Sequence, residues 1–150
     1  KGNNVEKEIR TMEVSELVSK VSAIPEVRYK LVKQQHKIGK DKGVVMDGRD
    51  IGTVVFPDAE LKLFITASAD VRAKRRYNEL KSKGADVDFK DVLKNVRERY
   101  YIDSHRATSP LIKAKDAIEI DNSDLTKAEH FTKVLAIVNK TLEEVNSHCS

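Results

Sequence analysis

The sequence is poor in the residues that stabilise secreted and membrane-bound proteins. It has one cysteine, Cys149, and no tryptophan, and only 5% of its 150 residues are aromatic. A single cysteine cannot form an internal disulfide, and no apolar run approaches the roughly 20 residues that span a bilayer. We therefore expect a cytoplasmic protein with no membrane-spanning segment.

Glycine is also scarce, and this excludes a common phosphate-binding loop. That loop follows the pattern G-x-x-x-x-G-K-[ST], in which backbone N–H groups surround the phosphates. The sequence has six glycines, and Gly39-Lys40 has no glycine five positions before it. These 150 residues therefore contain no loop of this type.

Charge is what the sequence has in abundance. Charged residues make up 35% of the chain, with 28 basic and 24 acidic side chains and a net charge of +4. A basic balance permits a nucleic-acid partner, but the few aromatic side chains leave little for single-stranded bases to stack on. Small anionic ligands explain the balance equally well, and the 39% hydrophobic content can supply the core of one domain.

Apolar residues repeat at helical spacing along much of the chain. The first helix is expected from about residue 12. Pro25 opens a second helix from its first position. Ser68 and Asp88 cap a third and a fourth helix, and Thr126 with Glu129 forms the capping box of the last. The side chains expected to face the core are Val14, Leu17, Val18, Val21, Val27, Leu31, Ile38, Phe89, Leu93, Val96, Tyr100, Phe131, Val134, Leu135, Val138, Leu142 and Val145.

Three short apolar runs predict strands, at Val44–Met46, Leu61–Thr66 and Ala117–Asp121. Strands that alternate with helices favour a parallel sheet with right-handed crossovers. Ligands bind at the carboxyl ends of such strands, where the first run is followed by Asp47-Gly48-Arg49-Asp50. An ordinary polar turn would use the same residues, so the residues by themselves leave both interpretations open.

The run after the first predicted strand carries a family resemblance. Asp47-Gly48-Arg49-Asp50-Ile51-Gly52-Thr53-Val54-Val55-Phe56-Pro57-Asp58-Ala59 resembles the signature of bacterial cytidylate (CMP) kinases. These are P-loop phosphotransferases that move a phosphoryl group from ATP to CMP or dCMP. The similarity continues in Glu8-Ile9-Arg10-Thr11 and in Arg99 through Leu111. It implies CMP, dCMP and ATP as small-molecule partners, with Mg²⁺ accompanying ATP.

The resemblance also implies a fold that these residues supply in part. In this family the phosphate loop and its strand come first, and that strand lies centrally in the sheet. We therefore expect an α/β fold, an incomplete P-loop NTPase-like three-layer parallel sheet with three strands present and the central P-loop strand missing. The chain would be the carboxyl-terminal two thirds of such a kinase, and a separate N-terminal segment or self-association could complete the sheet.

The resemblance also divides the chain into regions within one domain. Residues 1–42 would belong to the helical monophosphate-binding region, 43–68 to the core strands, 69–111 to the helical lid region, and 112–150 to the last core strand and the C-terminal helix.

The resemblance assigns a set of CMP-binding residues. Cytosine offers one amino donor and two acceptors, so a selective pocket needs one acceptor and one or two donors. Asp50 matches the position that accepts from the amino group, and Arg28 and Ser19 match positions that serve the acceptors. A solvated charge in a first helical turn is the alternative for Arg28, and Ser19 alone would indicate nothing. The full set is Ser19, Arg28, Arg49, Asp50, Arg99, Asp103 and Arg106.

Phosphate binding and catalysis are assigned to arginines and one acid. Guanidinium groups suit the doubly charged phosphate of CMP, and Arg49 and Arg106 match the family's phosphate ligands. Together with Asp47 they form the expected catalytic set. Arg99, Asp103 and Arg106 are spaced i, i+4 and i+7, which also predicts an ion-pair ladder along one helix face. The ladder and the binding role are compatible.

Three further expectations concern ATP. Arg72 and Arg76 match a lid pair that reaches adenine and the ATP phosphates, although a basic helix face is also typical of solvated surface. Asp47 takes the place of a Walker-B-like acid that would hold Mg²⁺ through water. Tyr100 departs from the family pattern, which has an acid there. We expect the lid to lose a negative charge at this position and to gain packing by the Tyr100 ring.

Three hypotheses about function follow. The first is a CMP/dCMP kinase represented by an incomplete chain. The second is a non-catalytic, kinase-like assembly or binding module. The third is a basic nucleic-acid-binding domain, which the scarcity of aromatic residues makes the weakest of the three.

We expect the 150-residue chain by itself to show no kinase activity, because it lacks the loop that would hold the ATP phosphates. The measurement is CDP formation from ATP and CMP by the purified chain, with a full-length cytidylate kinase as the positive control. CDP formation above the protein-free blank would contradict the prediction.

Overall fold

The chain is a mixed α/β protein that is mostly helical. The computed structural model describes residues 4–6 and 8–148, so Cys149 lies outside the described residues. Within them, the two strands β1 (Leu63–Thr66) and β2 (Ile118–Asp121) pair in parallel, with Leu63 opposite Ile118. The helices are α1 (Met12–Ser22), α2 (Pro25–Ile38), α3 (Ala69–Ser82), α4 (Phe89–His105) and α5 (Lys127–His148), with a 3-10 turn at Glu8–Arg10 and a π-helical turn at Ile51–Val55.

The predicted helix starts are confirmed by their capping hydrogen bonds. Ser68 Oγ accepts from the backbone N–H of Val71 at 3.3 Å, and Asp88 Oδ1 accepts from that of Lys90 at 2.7 Å. Pro25 occupies the first turn of α2. At the start of α5, the side chains of residues 126 and 129 each accept from the other's backbone N–H, at 2.8 and 3.2 Å. A cap involves residues within one turn, so the local sequence suffices to specify it.

The hydrophobic core lies where α3 packs against α4. Ala73 and Leu80 of α3 are buried against Val92 of α4. The small side chain of Ala73 lets the two helices approach closely, and Tyr77 packs edge-on against Phe89 with ring centres 5.8 Å apart. This contact fixes α4, the helix that carries Arg99 and Asp103 and is followed directly by Arg106.

Hydrogen bonds attach α3 to the loop that follows β2. The Arg75 guanidinium donates to Asn122 Oδ1 at 2.8 Å and to the Asn122 carbonyl at 2.7 Å. The backbone N–H of Ser68 donates to Ser123 Oγ at 3.0 Å. The core helices are thereby held to the carboxyl end of the sheet.

The strand predicted at Val44–Met46 is wrong for the described structure. This segment has no regular secondary structure, and Val45 is fully exposed. A strand needs a neighbour for its backbone N–H and C=O groups, and β1 pairs with β2 instead of with this segment. The sheet in residues 4–6 and 8–148 therefore has two strands, where the sequence predicted three.

Much of the predicted core is also exposed. Leu17 of α1 is 54% exposed and Phe131 of α5 is 64% exposed, whereas Ser15 and Ser19 of α1 are buried. Periodicity identifies the apolar side of a helix but not whether anything covers it. No helix in the described part of the chain is long and apolar enough to cross a membrane. The exposed members of the predicted core are Leu17, Val18, Val21, Leu31, Ile38, Phe89, Tyr100, Phe131, Leu135, Leu142 and Val145.

Two valines provide a matched test of this description. Val92→Ala should lower the free energy of unfolding by about 2 kcal/mol, because it removes two buried carbons and leaves a cavity between α3 and α4. Val45→Ala should change it by less than about 0.5 kcal/mol, because Val45 touches solvent. Urea unfolding monitored by circular dichroism measures both. Equal losses for the two variants would contradict the assignment of the core and of the exposed segment.

Candidate functional site

Two buried carboxylates form the centre of the site. Asp50, just before the π-helical turn, is 3% exposed, and Asp103, near the end of α4, is 2% exposed. A buried carboxylate is costly unless it is paired with a positive charge and hydrogen-bonded. Each of the two acids therefore needs positively charged, hydrogen-bonding side chains around it.

Three arginines pair with these acids. Arg28 Nη2 lies 2.5 Å from Asp50 Oδ2, and Arg49 Nε lies 3.1 Å from Asp103 Oδ2. Arg106 lies between the acids, with Nη2 4.0 Å from Asp50 Oδ1 and Nη1 3.7 Å from Asp103 Oδ1. Its Nε–H also donates to a backbone carbonyl, at 2.7 Å. The ion pairs join α2, the segment before the π-helical turn and α4.

The π-helical turn positions Asp50. The Asp50 carbonyl accepts from the backbone N–H groups of Val54 at 2.9 Å and Val55 at 3.2 Å, and the Val55 side chain is buried. A Cβ on Gly48 would lie 2.9 Å from Ile51 Cγ1, closer than packed atoms tolerate, so glycine permits the chain to fold back here. Turns of this kind are frequent at functional sites.

Helix α1 faces the arginines with a row of serines. Ser15, Ser19 and Ser22 are spaced i, i+4 and i+7, and all three lie on one side of the helix. Ser22 Oγ accepts from Arg106 Nη1 at 3.3 Å, and Ser15 Oγ accepts from Arg99 Nη1 at 2.9 Å. Sequence reasoning missed Ser15 and Ser22. Serine at helical spacing beside an apolar stripe is the signal that could have found them.

The arginines keep N–H groups that nothing in the described residues accepts. A buried polar group without a partner usually faces a ligand, an ion or water, because leaving it unpaired costs about 1–3 kcal/mol. The buried guanidinium nitrogens with no hydrogen-bond partner in the described part of the chain are Arg28 Nε, Arg72 Nε, Arg99 Nε and Arg106 Nη2.

The positive charges also crowd one another. Burial lowers the pKa of the Arg106 guanidinium below its ordinary value, and the charge of Arg28 lowers it further. Burial likewise lowers the pKa of Arg99, and the charge of Arg49 adds to that effect. Arginine stays protonated in proteins despite such shifts. An anion at this place would relieve both the desolvation and the repulsion.

The predicted lid arginines point to different partners. The Arg72 guanidinium carbon lies 4.7 Å from the centre of the Tyr100 ring, which is cation–π geometry. Arg76 donates to Glu79 Oε2 at 2.9 Å and to the Arg10 carbonyl at 2.7 Å. Tyr100 thus packs under Arg72, although its ring remains partly exposed. The ATP-binding role of Arg72 and Arg76 stays a prediction.

Half of the predicted ion-pair ladder on α4 forms. Arg106 lies 3.7 Å from Asp103, as the spacing predicts. No Arg99–Asp103 pair occurs within 4.0 Å in the described residues, and Arg99 is held by Ser15 instead. The carboxylate oxygens of Asp103 face Arg49 and Arg106.

Asp47, the expected metal-binding acid, lies exposed after the segment that forms no strand. Among residues 4–6 and 8–148, no group of three or more His, Cys, Asp or Glu side chains could hold a metal ion. Nucleotide-bound Mg²⁺ takes most of its ligands from phosphates and water and needs one or two carboxylates. A single acid therefore fits a water-mediated contact and does not fit a protein-held metal centre.

The structure brings most of the predicted site together. Arg28, Arg49, Asp50, Asp103 and Arg106 form one ion-pair cluster. Ser19 is buried on the α1 face between the two serines that bind Arg99 and Arg106, while Asp47 lies outside the ion-pair cluster. Clusters of arginine with free N–H groups are the class of site that proteins use for phosphate-bearing ligands.

Comparison of the sequence with known proteins identifies the family. The family model described as cytidylate kinase matches residues 1–140. A cytidylate kinase of Flavobacterium johnsoniae is 63% identical over 142 residues, which cover 95% of this chain and 62% of the relative. One of Bacteroides fragilis is 56% identical over 95% of this chain and 62% of the relative, and one of Clostridium botulinum is 53% identical over 93% and 64%. The chain belongs to the cytidylate kinase family, and it spans less than two thirds of the length of these relatives.

Glu79, which holds Arg76, gives a prediction about pH. Hydrogen bonds from Lys83 and then Arg76 lower the pKa of the Glu79 carboxyl from 4.5 to about 2. A carboxylate with a lowered pKa stabilises the fold at neutral pH, and this contribution is lost as the pH falls from 4.5 towards 2. Because the side chain is 38% exposed, we expect at most about 1 kcal/mol.

Glu79→Gln should therefore lower the free energy of unfolding at pH 7, and its difference from the unmodified chain should nearly vanish at pH 2. Urea unfolding at both pH values measures this difference. Glu98→Gln is the matched control, because the Glu98 carboxylate lies a longer 3.9 Å from its partner Lys94. A loss for Glu79→Gln that does not change with pH would contradict the prediction.

Proposed function

We propose that this chain is part of a cytidylate kinase that transfers a phosphoryl group from MgATP to CMP or dCMP, giving CDP or dCDP. One observation carries the proposal: Arg28, Arg49 and Arg106 converge on two buried acids and still leave buried N–H groups without partners. The surplus of positive charge suits a phosphate monoester, which carries close to two negative charges at neutral pH. Family membership supports the reaction class, because the relatives are named cytidylate kinases.

Asp50 is the proposed reader of the cytosine amino group. Its Oδ2 is held by Arg28, whereas its Oδ1 lies 4.0 Å from Arg106, too far for a hydrogen bond. That oxygen can therefore accept from the N4 amino group of cytosine. Arg28, with its unpaired Nε–H, and Ser19 would serve the acceptor atoms of the base.

The phosphate and ribose would lie nearer to α4. Arg49, Arg99 and Arg106 are the proposed phosphate ligands, and Asp103 would accept from the ribose hydroxyls. Phosphoryl transfer requires positioning and charge stabilisation and little covalent chemistry from the protein. Arg49 and Arg106 would therefore act by orienting the phosphate and stabilising its negative charge, with Asp47 as the third member of the catalytic set.

The ATP side of the site is proposed in outline. Arg72 and Arg76 would belong to a lid within residues 69–111, and Asp47 would contact Mg²⁺ through water. The phosphate loop would lie outside these 150 residues, with its strand between the exposed segment 44–46 and β1. Residues 1–42 would form the monophosphate-binding region, 43–68 and 112–150 would complete the core, and a kinase of these substrates would work in the cytoplasm.

CMP titration of the purified chain tests the monophosphate site independently of ATP. We expect CMP to bind, and UMP and AMP to bind at least about tenfold more weakly, because they present a different donor and acceptor pattern to Asp50. Arg106→Gln should weaken CMP binding by about 10- to 100-fold, because it removes a charged phosphate donor. Calorimetry gives the dissociation constants.

Arg97→Gln is the matched control. Arg97 is an exposed arginine on the same helix, 3.7 Å from Asp70, and its loss should leave CMP binding unchanged. A chain that binds no nucleotide and forms a stable oligomer would favour an assembly module instead. Binding of oligonucleotides that weakens steeply with salt would favour a nucleic-acid-binding domain.

A further inference from the structure

Ser15 of α1 lies between two polar side chains of α4. Its hydroxyl donates to Asn95 Oδ1 at 2.9 Å and accepts from Arg99 Nη1 at 2.9 Å. Ser15 is 6% exposed and Asn95 is 8% exposed, so solvent contributes little to either bond. Asn95 and Arg99 are one helical turn apart, and the serine bridges them from the opposite helix.

The chemistry of the three groups fixes the direction of these bonds. A guanidinium can only donate, so the Ser15 oxygen must accept from Arg99. The single hydroxyl hydrogen is then free for the Asn95 carbonyl oxygen, which can only accept. Arg99, Ser15 and Asn95 thus form one hydrogen-bonded series, in which Arg99 donates, Ser15 accepts and donates, and Asn95 accepts.

These hydrogen bonds leave one edge of the Arg99 guanidinium unoccupied. Nη1 is bound to Ser15, whereas the buried Nε–H has no acceptor in the described residues. Burial lowers the pKa of Arg99, and the charge of Arg49 lowers it further. Asp103 cannot orient Arg99 in the same way, because its oxygens face Arg49 and Arg106.

We propose that Ser15 and Asn95 are positioning residues that hold Arg99 with its free Nε–H directed to the phosphate-bearing ligand. The inference rests on the proposed function and deepens it. An arginine side chain loses much rotational freedom when it binds a ligand, and a hydroxyl that holds it beforehand removes part of that loss. Because Ser15 belongs to α1 and Arg99 to α4, the packing of the two helices sets the position of the phosphate ligand.

Removing the Ser15 hydroxyl tests the proposal. Ser15→Ala should weaken CMP binding by about tenfold, because Arg99 is no longer held and Asn95 loses its donor. The salt dependence of binding should stay unchanged, because the charge of Arg99 is retained, whereas Arg99→Gln should make binding less sensitive to salt. Ser15→Thr keeps the hydroxyl and should restore most of the affinity.

A double variant separates positioning from helix packing. Asn95→Ala should weaken CMP binding in the unmodified chain but add nothing to Ser15→Ala, because Asn95 acts through the serine. Ser104→Ala is the matched control: Ser104 is on α4 too, and within the described residues its hydroxyl bonds only to the Tyr100 carbonyl of the same helix. That variant should bind CMP as the unmodified chain does.

Nuclear magnetic resonance of the Arg99 side chain gives a readout that needs no ligand. Rotation about the Nε–Cζ bond should be slowed while Nη1 is bound to Ser15 and should become faster in Ser15→Ala. Unchanged rotation, or unchanged CMP affinity in Ser15→Ala when the unmodified chain binds CMP, would overturn the inference. If the unmodified chain binds no CMP, the proposed function fails, and the rotation rate still decides whether Ser15 holds Arg99.

Discussion

The burial of Asp50 and Asp103 is the constraint on which the site depends. Two carboxylates removed from water must have positive partners, and those partners come from α2, from the segment before the π-helical turn and from α4. Buried ion pairs contribute little net stability, because desolvation offsets their attraction. Their role here is geometric, since each acid satisfies its charge only when separate parts of the chain converge.

That convergence brings together more positive charge than the acids neutralise. Burial lowers the pKa of the Arg106 guanidinium, and the nearby charge of Arg28 lowers it further. A site with such an excess of positive charge suits an anion, because the ligand supplies the negative charge and the hydrogen-bond acceptors that the protein lacks there. The serine face of α1 completes the arrangement by accepting from Arg99 and Arg106 without neutralising either.

Local features such as helix caps were predictable from the sequence. The pairing of strands and the burial of helix faces by distant parts of the chain were not. The caps at Ser68, Asp88 and Thr126 followed from residues within one turn, and the structure confirms them. The predicted strand at Val44–Met46 failed because a strand depends on a neighbour that the local sequence does not contain. On α1 the apolar stripe was correctly placed on one side, yet the buried side is the serine side, because Arg99 and Arg106 need acceptors there.

The sequence by itself determined the helix starts and the resemblance to the cytidylate kinase family, and it predicted the five residues that the structure joins in one ion-pair cluster. Each of these depends on residue type and short spacing, which a one-dimensional pattern contains in full. Only the tertiary structure decided that Arg106 lies between both acids, that Ser15 holds Arg99, and that Arg72 stacks on Tyr100. Apart from the Arg106–Asp103 pair, which lies within one helical turn, these are contacts between residues far apart in the chain, and their geometry depends on how separate parts of the chain pack.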